Sequence, residues 1–134
     1  MNTDHHVYFA VFGFDCDHLA VTLAAGIEPD DIWRKGESFT AVLPDAVRRE
    51  HRWILSSQLD QHASHRDHFE ELLLKLERLG PALDTLRAEY RCGIGVSRYF
   101  FMDDPTFYLP EDIIARYQAL GFDISFDQLG LDNR

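Results

Sequence analysis

Cysteine is scarce in this sequence, and neither cysteine is placed for a metal site. Cys16 and Cys92 are the only two, with no CxxC pair and no Cys or His partner at zinc spacing. This argues against a zinc framework and against a small secreted fold held by disulfides. We expect both thiols to be reduced and to pack as small apolar groups.

Long apolar runs are also missing. No stretch approaches the roughly 20 apolar residues that a membrane-spanning helix needs. The first residues, Met1 to His6, lack the basic start and the apolar core of a signal peptide. We therefore expect a soluble cytoplasmic protein with no membrane partner.

Basic residues are few, and they are unevenly placed. The chain has 13 Lys and Arg against 23 Asp and Glu, for a net charge of −10. Residues 1–31 hold six acids and no base, whereas residues 32–53 hold five bases and three acids. The acidic total repels polyanions, so nucleic acids are disfavoured as partners. A basic protein surface or a small ligand suits the chain better.

Catalytic signatures are absent as well. There is no GxSxG elbow, no P-loop, no GxGxxG and no HExxH. The Gly93-Ile94-Gly95 segment lies in a predicted strand and lacks the following helix that a dinucleotide site requires. The sequence leaves enzyme activity uncertain, leaning against it, and implies no cofactor.

Periodic segments fill most of the chain, and at this length one domain over residues 1–134 is the default. Residues 7–14 are an apolar run rich in aromatic and β-branched residues, which predicts a strand covered on both faces. A short helix over about residues 16–25 follows, capped by Asp15 or Asp17. Its apolar positions are Leu19 and Leu23, with further support from Val21 and Ala20.

The remaining elements follow from the same patterns. The apolar stripe of the longest helix keeps its phase across Gly80-Pro81, so we expect a kink or two nearly coaxial helices. In chain order the predictions are strands over residues 32–42 and 51–57, the helical segment over residues 64–90, a strand over residues 94–101, a helix with Pro110 at its first position, and a half-exposed strand over residues 122–126.

The resulting order is β-α-β-β-α-β-α-β. Its first six elements match the ferredoxin-like βαββαβ pattern. We predict an α+β two-layer sandwich, extended by the C-terminal helix and strand. Because the first strand is apolar on both faces, we expect the C-terminal elements, a ligand or a second copy of the chain to cover the sheet, and a homodimer is one solution.

Four segments of the chain form a recognisable set: Tyr8-Phe9, Ile27-Glu28-Pro29, Trp33-Arg34-Lys35-Gly36-Glu37, and Trp53-Ile54-Leu55-Ser56-Ser57 before the long helix. Together they resemble an uncharacterised bacterial family, numbered 4279 among the domains of unknown function. The resemblance covers nearly the whole chain. It implies a small single-domain protein and transfers no activity and no catalytic residue. Residues 38–47 are more apolar than the family's connecting loop would be, which weakens the idea of a flexible ligand flap.

The two tryptophan segments are the main candidate site. Aromatic side chains beside cations are common in recognition surfaces. In the alternative interpretation both indoles pack in the core or at strand edges, and the bases keep those edges soluble. The predicted ligand-binding or partner-binding residues are Trp33, Arg34, Lys35, Arg52, Trp53, Ser56, Ser57 and Arg98.

Three histidines near the start of the long helix are the weaker candidate. His62, His65 and His68 recur three residues apart, so His65 and His68 could share a metal ion with Asp60 or His62. No second cluster of ligands accompanies them. A solvated helix face is the favoured interpretation, and no metal is predicted.

Three functions fit these observations. The first is a non-catalytic binding or inhibitor module, possibly of the immunity type, which recognises a protein partner, possibly a basic one. The second is a protein that binds a small anionic ligand near the tryptophan segments, with or without catalysis. The third is a structural subunit of a dimer or larger complex.

Overall fold

The computed structural model describes residues 4–38, 47–101 and 106–131, and over these it contains five strands and four helices. The predicted α+β class is therefore confirmed. The elements, in chain order, are β1 (Asp4–Phe12), α1 (His18–Ala25), β2 (Asp31–Trp33), β3 (Arg52–Ser56), α2 (His65–Leu79), α3 (Pro81–Glu89), β4 (Arg91–Phe101), α4 (Glu111–Leu120) and β5 (Ile124–Leu131). Residues 39–42 of the predicted second strand lie outside the described residues.

The five strands form one mixed sheet in the order β2-β3-β1-β4-β5. Strands β2 and β3 are antiparallel, with Ile32 opposite Trp53. Strands β4 and β5 are parallel, with Val96 opposite Phe126. The order leaves β2 and β5 at the two ends and β1 in the middle.

The composition of β1 explains its central position. Successive residues of a strand point to opposite faces of the sheet. Phe9 and Ala10 are such neighbours, and their exposed fractions are 0% and 3%; Val7 and Val11 are also fully buried. The face that carries Val7, Phe9 and Val11 is therefore fully buried. On the other face Ala10 is buried and Tyr8 is half-buried, so the predicted cover of both faces is confirmed only in part.

Two compact units divide the chain. The first consists of the residues up to Phe9, residues 56–78 and the residues from Gly93 onward, and the second consists of residues 10–55 and 79–92. In the first unit, buried side chains of α2 and α4 build the core. Tyr117 on α4 packs edge-on against Phe69 on α2, and its hydroxyl donates to the Phe69 carbonyl at 2.7 Å. Burial raises the pKa of Tyr117.

In the second unit, α1 packs against α3. Helix α3 begins at Pro81 directly after Gly80, which has a φ of +55°. Glycine tolerates this backbone conformation without a Cβ clash, and proline at a first helical position loses no intrahelical hydrogen bond. The predicted break between two helices is therefore confirmed. Among the described residues, no helix is both long and apolar enough to cross a membrane.

The predicted apolar face of α1 is wrong. Leu19 and Leu23 are 60% and 74% exposed, whereas His18, Val21 and Ala25 are buried. The buried positions are three and four residues apart and form one stripe of the helix. His18 can occupy that stripe because its Nε2 donates to the carbonyl oxygen of Trp33 at 2.8 Å, which satisfies the polar ring inside the protein.

The ends of α1 follow the sequence signals. Asp17 is the N-cap, and its carboxylate accepts from the backbone N–H of Leu19 at 2.8 Å. Gly26 ends the helix in the left-handed conformation.

The start of α4 differs by one residue from the prediction. Pro110 was predicted at the first helical position, but it is the N-cap, and the helix starts at Glu111.

Two leucines of α2 provide a matched test of the core. Leu76 is fully buried, while Leu74 on the same helix is 45% exposed. Replacing Leu76 by Ala should lower the free energy of unfolding by about 2–5 kcal/mol, because it removes buried methyl groups and leaves a cavity. The Leu74→Ala control should change it by about 0.5 kcal/mol or less. Urea unfolding measures both, and equal losses would contradict this core.

Candidate functional site

The two predicted tryptophans have different environments. Trp53 on β3 is fully buried, and its indole Nε1–H donates to the hydroxyl of Thr22 at 3.0 Å. Trp33 on the neighbouring strand β2 is only half-buried. Trp53 is thus a packing residue whose polar edge is satisfied, and Trp33 is the tryptophan that solvent and ligands can reach.

Two guanidinium groups lie over the Trp33 ring. The Cζ atom of Arg48 is 3.7 Å from the ring centroid, and that of Arg52 is 4.8 Å from it. Both distances are within the range of cation–π attraction. A cavity of about 330 Å³ adjoins this stack, and we call its lining the Trp33 surface: Trp33, Val47, Arg48, Arg49, Glu50 and Arg52.

Positive charge predominates on the Trp33 surface. Among its described residues one carboxylate is present, that of Glu50. It lies 3.2 Å from the Arg52 guanidinium, and both side chains are about 30% exposed or less. Partly exposed ion pairs of this kind contribute little to stability. Three arginines against one glutamate leave the surface cationic within an acidic protein.

Arg34 and Lys35 extend the basic character from the end of β2. Both are exposed. The backbone N–H of Lys35 donates to His51 Nδ1 at 3.0 Å, and that of Gly36 donates to the Arg48 carbonyl at 2.9 Å. These bonds hold the turn after β2 beside the segment that carries Arg48. The predicted bases Arg34, Lys35 and Arg52 thus belong to the same hairpin end as Trp33.

The other predicted residues, Ser56, Ser57 and Arg98, belong to the first unit and are buried. Arg98 donates from Nη1 to Gln128 Oε1 at 3.2 Å and from Nη2 to the Thr106 carbonyl at 2.9 Å. Its Cζ also lies 4.7 Å from the ring centroid of Phe100. Through these bonds Arg98 links β4 to β5 and to the segment that precedes α4.

A serine and a histidine form a buried pair in the first unit. Ser57 Oγ lies 2.6 Å from His68 Nδ1, and His68 Nε2 lies 3.0 Å from the carbonyl oxygen of Asp60. A carbonyl only accepts, so Nε2 carries a hydrogen. Burial lowers the pKa of His68 below its ordinary value of 6.5. In the neutral ring, Nδ1 then accepts the hydrogen of the Ser57 hydroxyl.

Ser57 also opens onto a cavity of about 390 Å³. We call it the Ser57 cavity, and its lining residues are His6, Ser57, Gln58, Leu59, Gln61, Ser97 and Tyr99. None of these described lining residues is Asp, Glu, Lys or Arg. The described lining therefore offers hydrogen-bonding groups around the Ser57 hydroxyl, which is itself bonded to His68.

The three candidate histidines do not form one exposed face. His68 is fully buried, His62 is exposed, and the His65 ring lies 4.6 Å from the ring of Phe107 at an angle of 32°. Within residues 4–38, 47–101 and 106–131, no group of three or more His, Cys, Asp and Glu side chains is placed to hold a metal ion.

Sequence reasoning missed two features. Arg48 and Arg49 were not singled out, although a pair of adjacent bases close to a tryptophan strand was a usable signal. The contact between Ser57 and His68 had no comparable signal, because the two residues are on different elements. Only the folded chain brings them together.

Comparison with known proteins gives one match. A family model described as "Domain of unknown function (DUF4279)" matches residues 3–131. No curated protein and no solved structure matches significantly.

The environments of the two tryptophans predict different access to a quencher. The fluorescence of the Trp33→Phe variant, which keeps only the buried Trp53, should be much less quenched by acrylamide than that of the wild type. Stern–Volmer titration measures this. Unchanged quenching would mean that Trp53 is as accessible to solvent as Trp33, and stronger quenching would mean that Trp53 is the more exposed of the two; either result would contradict the assignment.

The lowered pKa of His68 predicts a pH-dependent stability. Between the folded-state pKa and 6.5, the unfolded chain binds the proton more readily, so the free energy of unfolding decreases as the pH is lowered. The contribution is present in full above pH 6.5 and is lost as the pH falls below it. Urea unfolding from pH 7.5 to 5.0 should show a steeper loss for the wild type than for His68→Gln; parallel curves would contradict the assignment.

Proposed function

Since the chain belongs to the DUF4279 family, whose description assigns no activity, we propose from the site geometry that the protein is a binding module for an acidic segment of a partner protein. The observation that carries this proposal is the stack of Arg48 and Arg52 on the half-buried ring of Trp33. The exposed bases Arg34 and Lys35 lie at the same hairpin end.

Stacked arginines suit carboxylates. A guanidinium that lies on an aromatic ring uses its face for the ring and keeps its N–H edge for a bidentate pair with a carboxylate. Tryptophan and arginine are also the residue types that most often dominate binding energy at interfaces. The Trp33 surface combines both types around one cavity.

The net charge of −10 is compatible with an acidic target. At physiological ionic strength, exposed charges more than about 8 Å apart are largely screened. The three arginines of the Trp33 surface therefore set the local potential. A basic partner for the acidic remainder of the chain is the other proposal that the charge layout supports, and it would use a different surface.

The strand order supports a finer description of the fold. We propose that the first six elements, with α2 and α3 counted as one interrupted helix, are arranged as a ferredoxin-like βαββαβ unit. The position of β1 between β3 and β4 favours this arrangement. In this arrangement β2 is an edge strand of the sheet. Trp33 therefore lies at the sheet edge, which a partner protein can reach.

A small anionic ligand is the second candidate for the same surface. The cavity of about 330 Å³ supports it, because small-molecule pockets typically begin at about 300 Å³. A small carboxylate or phosphate would contact the same arginines as an acidic peptide. The two candidates differ in whether recognition extends beyond the cavity.

Titration with two probes tests the proposal. A short oligoglutamate peptide should bind the wild type, and binding should weaken as salt is added. The Arg49→Gln and Trp33→Ala variants should each weaken it by about tenfold, which corresponds to about 1.4 kcal/mol. Arg78→Gln, an exposed base at the end of α2, is the matched control and should bind like the wild type.

Inorganic phosphate and citrate are the second probe set. If these anions bind to the wild type as tightly as the peptide does, and if the Arg49→Gln variant no longer binds them, the small-ligand candidate replaces the peptide candidate. If neither probe binds, or if Arg78→Gln has the same effect as Arg49→Gln, the Trp33 surface is not a specific recognition site.

A further inference from the structure

We propose that Ser57 and His68 are a nucleophile and general base that hydrolyse small uncharged esters in the Ser57 cavity. The geometry that points to this is the 2.6 Å contact between Ser57 Oγ and His68 Nδ1. On the other side of the ring, His68 Nε2 is bonded to the backbone carbonyl of Asp60. A nucleophile, a base within hydrogen-bond reach and a group that orients the base are the parts such a site requires.

His68 lies on a helix, and Ser57 is fixed at the end of a strand. Ser57 directly follows β3, and its backbone N–H donates to the Val7 carbonyl at 3.0 Å. His68 lies in the first turn of α2, where its backbone N–H donates to the Ser64 carbonyl at 3.1 Å. Catalytic groups placed on strands and helices are positioned more accurately than those on free loops. The pair is thus organised before any substrate arrives.

The carbonyl of Asp60 fixes the hydrogen positions. It takes the place that a carboxylate has in a three-membered catalytic arrangement, because it accepts the Nε2 hydrogen and leaves the Nδ1 lone pair facing the serine. It carries no full negative charge, so it stabilises the protonated ring less than a carboxylate would. We therefore expect slow turnover.

The surroundings favour the base form of His68. The ring is fully buried, and burial lowers its pKa below 6.5. The ring is consequently neutral at pH 7 and able to take a proton. Ser57 is 3% exposed, and its contact with solvent is through the cavity that it lines.

The cavity lining indicates the substrate class. Gln58, Gln61, Ser97 and Tyr99 supply N–H and O–H donors, and Leu59 supplies an apolar wall. Among the described residues that line the cavity, none is Asp, Glu, Lys or Arg, so a charged substrate would lose its hydration without gaining a counter-charge from them. The volume of about 390 Å³ limits the substrate to small molecules.

The proposed steps balance. Ser57 Oγ attacks the carbonyl carbon of the ester while its proton moves to His68 Nδ1. The tetrahedral intermediate collapses, the bond from carbon to the alcohol oxygen breaks, and His68 returns the proton to the departing alcohol. Water then attacks the acyl-serine with His68 as base. The acid is released, and Ser57 regains its hydrogen.

Two probes test the pair directly. The intact protein is treated with p-nitrophenyl acetate and, separately, with a small alkyl fluorophosphonate. Peptide mass spectrometry then locates the acetyl or phosphonyl group. We expect modification on Ser57 and release of p-nitrophenol beyond one equivalent.

Three variants separate catalysis from background. Ser57→Ala should abolish both the adduct and the turnover. His68→Gln should slow labelling of Ser57 by about 10²-fold or more, the usual contribution of a general base. Ser125→Ala, an exposed serine on β5, is the control and should react like the wild type. Far-UV circular dichroism checks that each variant is folded.

The pH dependence of the Ser57 labelling rate is a second test. It is measured on the wild type, so it does not depend on whether a variant folds. The labelling rate of Ser57 should fall as His68 becomes protonated, with a midpoint below pH 6.5. Labels spread over lysines and histidines, turnover that survives in Ser57→Ala, or a rate that shows no midpoint below pH 6.5 would each overturn the proposal and leave the pair a structural contact.

Discussion

The buried end of β3 places a constraint on which much of the first unit depends. A buried polar group without a partner costs about 1–3 kcal/mol, so each polar group at this strand end needs one. The Ser56 carbonyl accepts from Lys75 Nζ at 2.6 Å, and the Ser57 hydroxyl bonds to His68 at 2.6 Å. Both partners are on α2. The same bonds that satisfy the strand end therefore fix that helix and hold Ser57 facing the cavity.

The second unit uses two similar residues for opposite purposes. Trp53 is buried, with its indole N–H bonded to Thr22, and stabilises the packing around β3. Trp33 on the adjacent strand is half-buried, and the guanidinium groups of Arg48 and Arg52 stack on its ring. Composition alone could not separate these roles, because both tryptophans stand beside arginines in the sequence. The strand pairing decides which ring faces solvent.

Elements with strong apolar periodicity were predicted correctly from the sequence. The buried face was mispredicted in a short helix that has apolar residues on two faces. The stripe through α2 and α3, the break at Gly80 and the buried run of β1 were all predicted. Helix α1 was found, but His18 replaces Leu19 on its buried face because a distant carbonyl satisfies the ring. For the same reason the bond from Ser57 to His68 was invisible, since it depends on tertiary placement.

The most direct test of this account is the protonation of the His68 ring, read from its two ¹⁵N chemical shifts between pH 5 and 8. At pH 7 we expect a neutral ring with hydrogen on Nε2 and none on Nδ1, and a titration midpoint below 6.5. Removing the serine hydroxyl in Ser57→Ala should shift the Nδ1 resonance. Hydrogen on Nδ1 at pH 7, or a midpoint at or above 6.5, would contradict the assigned bonds and with them the organisation of the site.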